Sequence, residues 1–230
     1  NALLQIWFKY GSGYNKEWRI DVMKLVDLKV NEYLDVLKSD VPAPGGGSVS
    51  ALAGAQGAGL FMMVADLTLG KEKYADYQDV CKEAKAKGPE LYAKLFDGVD
   101  KDTEAFNLVS AAFKMPKDTD EQKAARKQAI ADGTLVATQV PFDTMQCCYE
   151  GLKIAQSMVG KSNPNAASDL GVAILNLMAG IKGAWLNVKI NLPGVKDEAK
   201  AAYFEAEGKK IYDDAEAIAR KLYDEILESL

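Results

Sequence analysis

Histidine is absent from this chain. Serine–histidine and cysteine–histidine catalysis are therefore excluded, as are most zinc sites, which are built on imidazole. Proton transfer near neutral pH falls to a carboxyl, lysine, tyrosine or thiol whose pKa has been moved into range. Arginine is scarce: Arg19, Arg126 and Arg220 stand among 28 basic residues, so an anion site must rest mainly on lysine or on backbone amides. Cysteine is limited to Cys81, Cys147 and Cys148. An odd number with two neighbours suits free thiols in a reducing cytoplasm better than a disulfide scaffold. No basic residue adjoins Cys147 or Cys148 to stabilise a thiolate, so the pair reads as core. Positive charge is in deficit: a net charge of −5 gives no field for a phosphate backbone, which argues against nucleic acid as a partner.

Long apolar runs are also few. Val49 to Val64 is the longest, and it is interrupted by Gln56 and falls short of a comfortable membrane span before Asp66. Its small residues, Gly47, Ala51, Ala55 and Ala58, suit close contact between helices, so a buried helix is expected and no membrane partner. The sequence opens on no basic segment followed by a cleavable apolar stretch, and a cytoplasmic location is expected.

Alternating strand patterns are missing as well, and what is present has the helical period. Val30, Tyr33, Leu34 and Leu37 predict a short amphipathic helix ended by Pro42 and Pro44. The buried helix follows, up to Gly70. Tyr77 to Phe113 carries a long periodic pattern with an expected break at Gly88-Pro89, and Glu121 to Gly151 another, with Pro141 expected to kink or split it. Asp169 to Asn187 is apolar, and Asp197 to Leu230 places Phe204, Gly208, Ile211, Ala215, Ile218, Leu222 and Ile226 on one stripe. The predicted fold is all-α, an up-and-down bundle of long helices. Residues 1–24 are aromatic and lack the period, so they are expected to be a leader or extension, with residues 25–230 forming one helical domain.

Chemistry is sought where a polar group interrupts an apolar seam. Leu95, Val99, Asp102, Phe106, Val109 and Phe113 recur at steps of three and four, and Asp102 takes a core position among them, whereas Asp100, Lys101 and Glu104 lie off the seam and read as solvated. Burial disfavours the charged carboxyl and lifts its pKa toward the range where it can move a proton at neutral pH. The alternative is a buried cap or a structural ion pair. Pro42-Ala43-Pro44-Gly45-Gly46-Gly47-Ser48 stands directly before a helix, where glycine lets the backbone approach a ligand and the helix offers free N–H groups. Its spacing is not that of a nucleotide loop, and a tight turn with Ser48 as N-cap is the other reading. Lys71 and Lys73 follow the end of the buried helix and can clamp a carboxylate or merely complement the helix dipole. Asn187, Lys189 and Asn191 sit among apolar residues, where an amide needs a backbone or ligand partner.

These segments, taken in order, resemble one family. Pro42 to Ser50 (PAPGGGSVS), Leu67 to Tyr74 (LTLGKEKY), Asp102 to Phe106 (DTEAF) and Met115-Pro116-Lys117 are similar to its motifs. So are Val140-Pro141, Asn163 to Asp169 (NPNAASD) and Asn187 to Leu192 (NVKINL). The family is that of the formiminotetrahydrofolate cyclodeaminase domain and the related methenyltetrahydrofolate cyclohydrolases, and the match runs from about Leu25 onward. Phe142 departs from the more usual leucine, and residues 1–24 lie outside the pattern. The resemblance implies a helical homodimer acting on one-carbon tetrahydrofolates with no metal and no cofactor beyond the folate substrate. It implies Asp102 as the proton donor. Gly45, Gly46, Gly47 and Ser48 would line the pocket, Lys71 and Lys73 would hold the glutamate tail, and Asn187 and Asn191 would meet the pterin edge. The reaction leaned to is cyclodeamination of 5-formiminotetrahydrofolate, with hydrolysis of 5,10-methenyltetrahydrofolate as the alternative. A folate-binding protein without turnover is the third reading. The formiminotransferase domain fused to animal members is not recognised here, so another chain is expected to supply any formimino substrate.

Overall fold

The computed structural model describes residues 24–230. The expected extension falls outside them save for Lys24. Among the described residues there is no strand, and six α-helices carry the fold: α1 (Val30–Leu37), α2 (Gly46–Asp66), α3 (Gln78–Lys114), α4 (Asp120–Met158), α5 (Ala167–Asn191) and α6 (Glu198–Ser229).

The starts of the helices follow from local chemistry. Thr119 Oγ1 accepts the Gln122 N–H at 3.2 Å and Gln122 Oε1 accepts the Thr119 N–H at 3.2 Å, a reciprocal cap that opens α4. Asp197 caps α6 by accepting the Lys200 N–H at 3.0 Å. By contrast α2 begins at Gly45, which has no side chain to offer. Ser48, expected as the cap, lies inside the first turn instead. Its amide is left for a partner from elsewhere.

Neither interior proline breaks its helix. α3 passes through Pro89 and α4 through Pro141. A proline inside a helix frees the carbonyl four residues before it. For Pro141 that carbonyl belongs to Ala137, and Asn191 Nδ2 donates to it at 2.8 Å. The orphaned acceptor is satisfied, so packing carries the helix across.

α2, α3, α4 and α5 pack in a ring, each against the next, with α5 returning to α2; α6 lies on α5 and α4. The core holds Phe61, Leu95, Phe142, Met145, Leu177 and Ile181, all nearly inaccessible. α2 and α5 cross closely at glycine: a Cβ on Gly57 would meet Ala173 O at 2.8 Å. The expected stripe of α6 is buried from Phe204 to Ile226, with Ile218 only partly covered. By length and apolarity α2 and α5 could each cross a membrane, but half or more of the most apolar stretch of each is buried within the protein. The remaining side is exposed and apolar: Val49 and Met63 on α2, Val172, Leu175, Leu186 and Ile190 on α5.

The seam of α3 departs from its reading in three places. Asp102, expected at a core position, is only half-buried. Phe106 and Phe113 are exposed, because only its first part is covered by α2. Asp100 is buried, its Oδ1 accepting the Leu25 N–H at 2.5 Å. The turn at Leu25–Asp27 lies over α3 there, a covering that helical periodicity does not encode.

Candidate active site

The N-terminus of α2 points at the middle of α3. Ser48 N–H donates to Asp102 Oδ2 at 2.9 Å, so the carboxylate of one helix caps the start of another whose own N-cap is a bare glycine. The Ser48 hydroxyl is fully buried and lies 2.8 Å from Val99 O, 3.3 Å from Asp102 Oδ2 and 3.3 Å from Thr103 Oγ1. It has one proton to donate, and the shorter contact places it on Val99.

This arrangement requires glycine at position 47. A Cβ there would fall 1.9 Å from Asp102 Oδ1 and 2.4 Å from Cγ. The backbone of the glycine turn thus lies directly on the carboxyl group. One residue earlier, a Cβ on Gly46 would meet Asn187 Nδ2 at 3.3 Å. Three segments distant in sequence therefore converge: Gly46 to Ser48, Asp102, and Asn187. Gly45 adjoins them as the N-cap of α2. Asn187 also donates to Gly183 O at 2.8 Å on its own helix, which leaves its Oδ1 available as an acceptor.

Burial pushes the Asp102 carboxyl above the ordinary aspartate range, and the bond from Ser48 N–H holds it down by less. No lysine or arginine forms an ion pair with it among the described residues. The nearest other ionisable group by effect is Tyr33, whose phenol is raised by burial and then by the Asp102 charge. The Tyr33 ring packs with Leu25, Ala51 and Val99, one helical turn from Ser48 and Asp102, and its buried hydroxyl has no partner among the described residues. Sequence reading missed Tyr33 as a wall of this site, since in sequence it is only one member of an amphipathic stripe. Thr103 was missed too; it follows Asp102 and is buried against Ser48.

Other residues singled out in the sequence lie elsewhere. α2 is about 30 Å long, and Lys71 and Lys73 follow its far end. Lys71 Nζ bonds Leu67 O at 2.6 Å, and Lys73 lies over the Tyr74 ring. Their motif has work at that end: Tyr74 Oη donates to Asn163 Oδ1 at 2.6 Å, and Asn163 N–H to Thr68 Oγ1 at 2.9 Å. Leu67 to Tyr74 and Asn163 to Asp169 thus latch to one another, away from Asp102. Asn191 is one turn beyond Asn187, but its amide is spent on Ala137. Lys189 is paired with Glu205. Cys147 and Cys148 keep protonated thiols, both pushed up by burial. Among the described residues no cluster of three carboxylates or thiols could hold a metal ion.

The chain is 38% identical over 197 residues to the methenyltetrahydrofolate cyclohydrolase of Methylorubrum extorquens, which covers 86% of this chain and 95% of that protein. It is 31% identical over 174 residues to the formimidoyltransferase-cyclodeaminase of Rattus norvegicus, of which it spans only 32%. Formiminotetrahydrofolate cyclodeaminase from Thermotoga maritima has the same fold, with a TM-score of 0.72 and 27% identity over 88% of this chain and 96% of that one. Residues 29–210 match the formiminotransferase-cyclodeaminase family, and on that match the chain belongs to this family of folate one-carbon cyclodeaminases and cyclohydrolases.

Proposed function

We propose that this protein opens 5,10-methenyltetrahydrofolate to 10-formyltetrahydrofolate, with Asp102 moving the protons. The observation that carries this reading is the carboxyl itself: half-buried, without a cation, raised in pKa, and set beside the glycine turn. The sequence leaned toward cyclodeamination. The balance shifts because the cyclohydrolase relative has the higher identity and matches this chain along 95% of its own length.

In this mechanism the Asp102 carboxylate takes a proton from water as its oxygen attacks the methenyl carbon, giving a tetrahedral adduct. Asp102 then returns a proton to N5 as the C–N5 bond breaks, leaving the formyl group on N10. The second proton of the water is released to solvent as the carbonyl forms. Asn187 Oδ1 faces an N–H of the pterin edge, and the packed backbone of Gly46 and Gly47 lets the ring approach Asp102.

Cyclodeamination stays as the second reading, favoured by the Thermotoga maritima fold. There N10 attacks the formimino carbon, and Asp102 protonates the departing nitrogen, which leaves as ammonia. The two readings separate in one assay that follows the methenyl chromophore and released ammonia. Accelerated loss of chromophore from 5,10-methenyltetrahydrofolate, with no ammonia from the formimino folate, is the expected result. Chromophore appearing from 5-formiminotetrahydrofolate together with ammonia would establish the second reading instead. No acceleration of either would leave a folate-binding protein without turnover.

The exposed face of Val172, Leu175, Leu186 and Ile190, flanked by Val49 and Met63, is where a second copy of the chain would dock in the homodimer implied by the family resemblance. Exposed apolar strips of this length mark contact surfaces. Sedimentation should give a dimer for the native protein and a monomer for Leu175→Lys; a native monomer refutes the pairing.

A further inference from the structure

Tyr33 reaches the Asp102 site from α1, and its hydroxyl has no task in the chemistry above. The residue is only 7% exposed. Its ring packs with Ala51 on α2, Val99 on α3 and Leu25 in the turn before α1. Ala51 follows Gly47 by four residues and Ser48 by three, and Val99 precedes Asp102 by three and Thr103 by four. Residues at these spacings share a helix face. The ring therefore lies on the faces of α2 and α3 that meet at the carboxyl, one turn along. One turn is about 5.4 Å, within the length of a tyrosine side chain. Leu25 is itself tied to α3, its N–H donating to Asp100 Oδ1 at 2.5 Å, so the ring is held from that side as well.

The Tyr33 hydroxyl has no hydrogen-bond partner among the described residues. A buried hydroxyl left unpaired costs stability that phenylalanine in the same place would not. The other hydroxyls beside Asp102 are committed. Ser48 gives its proton to Val99 O, so in the 3.3 Å contact between Ser48 Oγ and Thr103 Oγ1 the threonine is the donor. Tyr33 thus brings an uncommitted O–H to within the influence of Asp102, and burial and then that charge keep the phenol protonated. Asp102 has a free oxygen to match. Ser48 N–H donates to Oδ2, and no hydrogen bond engages Oδ1 among the described residues.

We propose that Tyr33 is a further catalytic residue, whose O–H holds the attacking water against Asp102. The inference rests on the hydrolysis reading above. A water molecule has two hydrogens and two lone pairs. One hydrogen is directed to Asp102 Oδ1, one lone pair accepts from Tyr33 Oη, and the other lone pair is aimed at the methenyl carbon. On attack the C–O bond forms, Asp102 takes the hydrogen directed to it, and the π electrons of the amidinium return to nitrogen. The phenol keeps its own proton throughout. The second hydrogen of the water leaves later, when the carbonyl forms. Tyr33 therefore governs the rate of attack and not the binding of the pterin.

Tyr33→Phe removes the hydroxyl and keeps the ring. Measured on native and variant protein are kcat and KM for 5,10-methenyltetrahydrofolate, the pH profile of kcat, and thermal melting. The variant should lose about tenfold in kcat, the effect of one hydrogen bond of ordinary strength, with KM unchanged. It should melt no lower than native, because the orphaned hydroxyl is gone. The pH limb of Asp102 in kcat should persist in the variant; its loss would show that Asp102 itself was displaced, and overturns the assignment. Native kcat in the variant, or a rise in KM alone, also overturns it while leaving hydrolysis at Asp102 in place. A lower melting temperature, with or without lost activity, would mean that the hydroxyl serves packing, and counts against the proposal equally. Native protein that does not accelerate loss of the methenyl chromophore defeats the hydrolysis reading and the role of Tyr33 together.

Discussion

Asp102→Asn should reduce turnover about 10²- to 10⁴-fold, the range expected when a positioned acid–base group is removed, while the protein stays folded. The substitution separates two roles that the structure gives one carboxyl. Asp102 caps α2 through Ser48 N–H at 2.9 Å, and asparagine serves as well as aspartate in accepting such a bond. The side-chain amide oxygen of the variant would keep the cap, so structural work is preserved. What asparagine cannot do is take up and release a proton. If steady-state kinetics show nearly native kcat, the carboxyl is a cap alone and the proposed mechanism fails. Asp102→Ala would not distinguish the roles, because it removes cap and proton carrier together.

The same variant has a second signature, in pH. The folded pKa of Asp102 is raised above its unfolded value by burial. Its neutral form is the favoured one in the fold, so its contribution to stability is present below the unfolded pKa and is lost as pH rises through the folded pKa. At neutral pH the native protein therefore carries the cost of a half-buried carboxylate, and Asp102→Asn should melt no lower than native, with its relative advantage growing from acid to neutral pH. Activity gives the complementary limb. If Asp102 first acts as a base on water, kcat of the native protein rises with pH through a value above the ordinary carboxylate range. If it acts as an acid toward departing ammonia, kcat falls through that value. The direction of the limb thus reports which reaction the site performs, and its disappearance in the asparagine variant assigns it to this residue.

Much of this was legible in the sequence because helices declare their buried faces. Asp102 stands out as the single carboxyl on an apolar seam, and the glycine turn as a segment with no side chains before a helix. The two converge in the structure, and the convergence explains both. Asp100 was not legible: it is buried by a turn that precedes α1, and no pattern within α3 reports that cover. Pro141 reads as a kink because the residue that rescues it, Asn191, lies on another helix. For the same reason Asn191 looks free for a ligand. The resemblance implies that Lys71 and Lys73 hold the glutamate tail, but separation along a straight helix decides position, and α2 carries them to the end far from Asp102.

Gly47→Ala should abolish most activity and also destabilise the protein, whereas Gly46→Ala should do neither to the same degree. The contrast follows from the distances. On Gly47 the new methyl would lie 1.9 Å from Asp102 Oδ1 and 2.4 Å from Cγ, far inside van der Waals contact, so α2 and α3 must separate or the carboxyl must swing away. Either response breaks the bond from Ser48 N–H. An uncapped helix start costs about 1 kcal/mol, and a strained helix contact costs about 1–3 kcal/mol more. On Gly46 the methyl meets only the Asn187 amide, at 3.3 Å, at the end of a side chain that can yield by a few tenths of an ångström. Thermal denaturation and kcat/KM measured on the two variants test the pair. A native-like Gly47→Ala in both measurements would mean that the carboxyl does not sit on the glycine turn, and the site built on that contact would have to be abandoned. Loss of activity in Gly47→Ala that asparagine at position 102 reproduces without loss of stability would instead separate the two contributions of this contact: the packing that holds α2 to α3, and the proton that the packing aims.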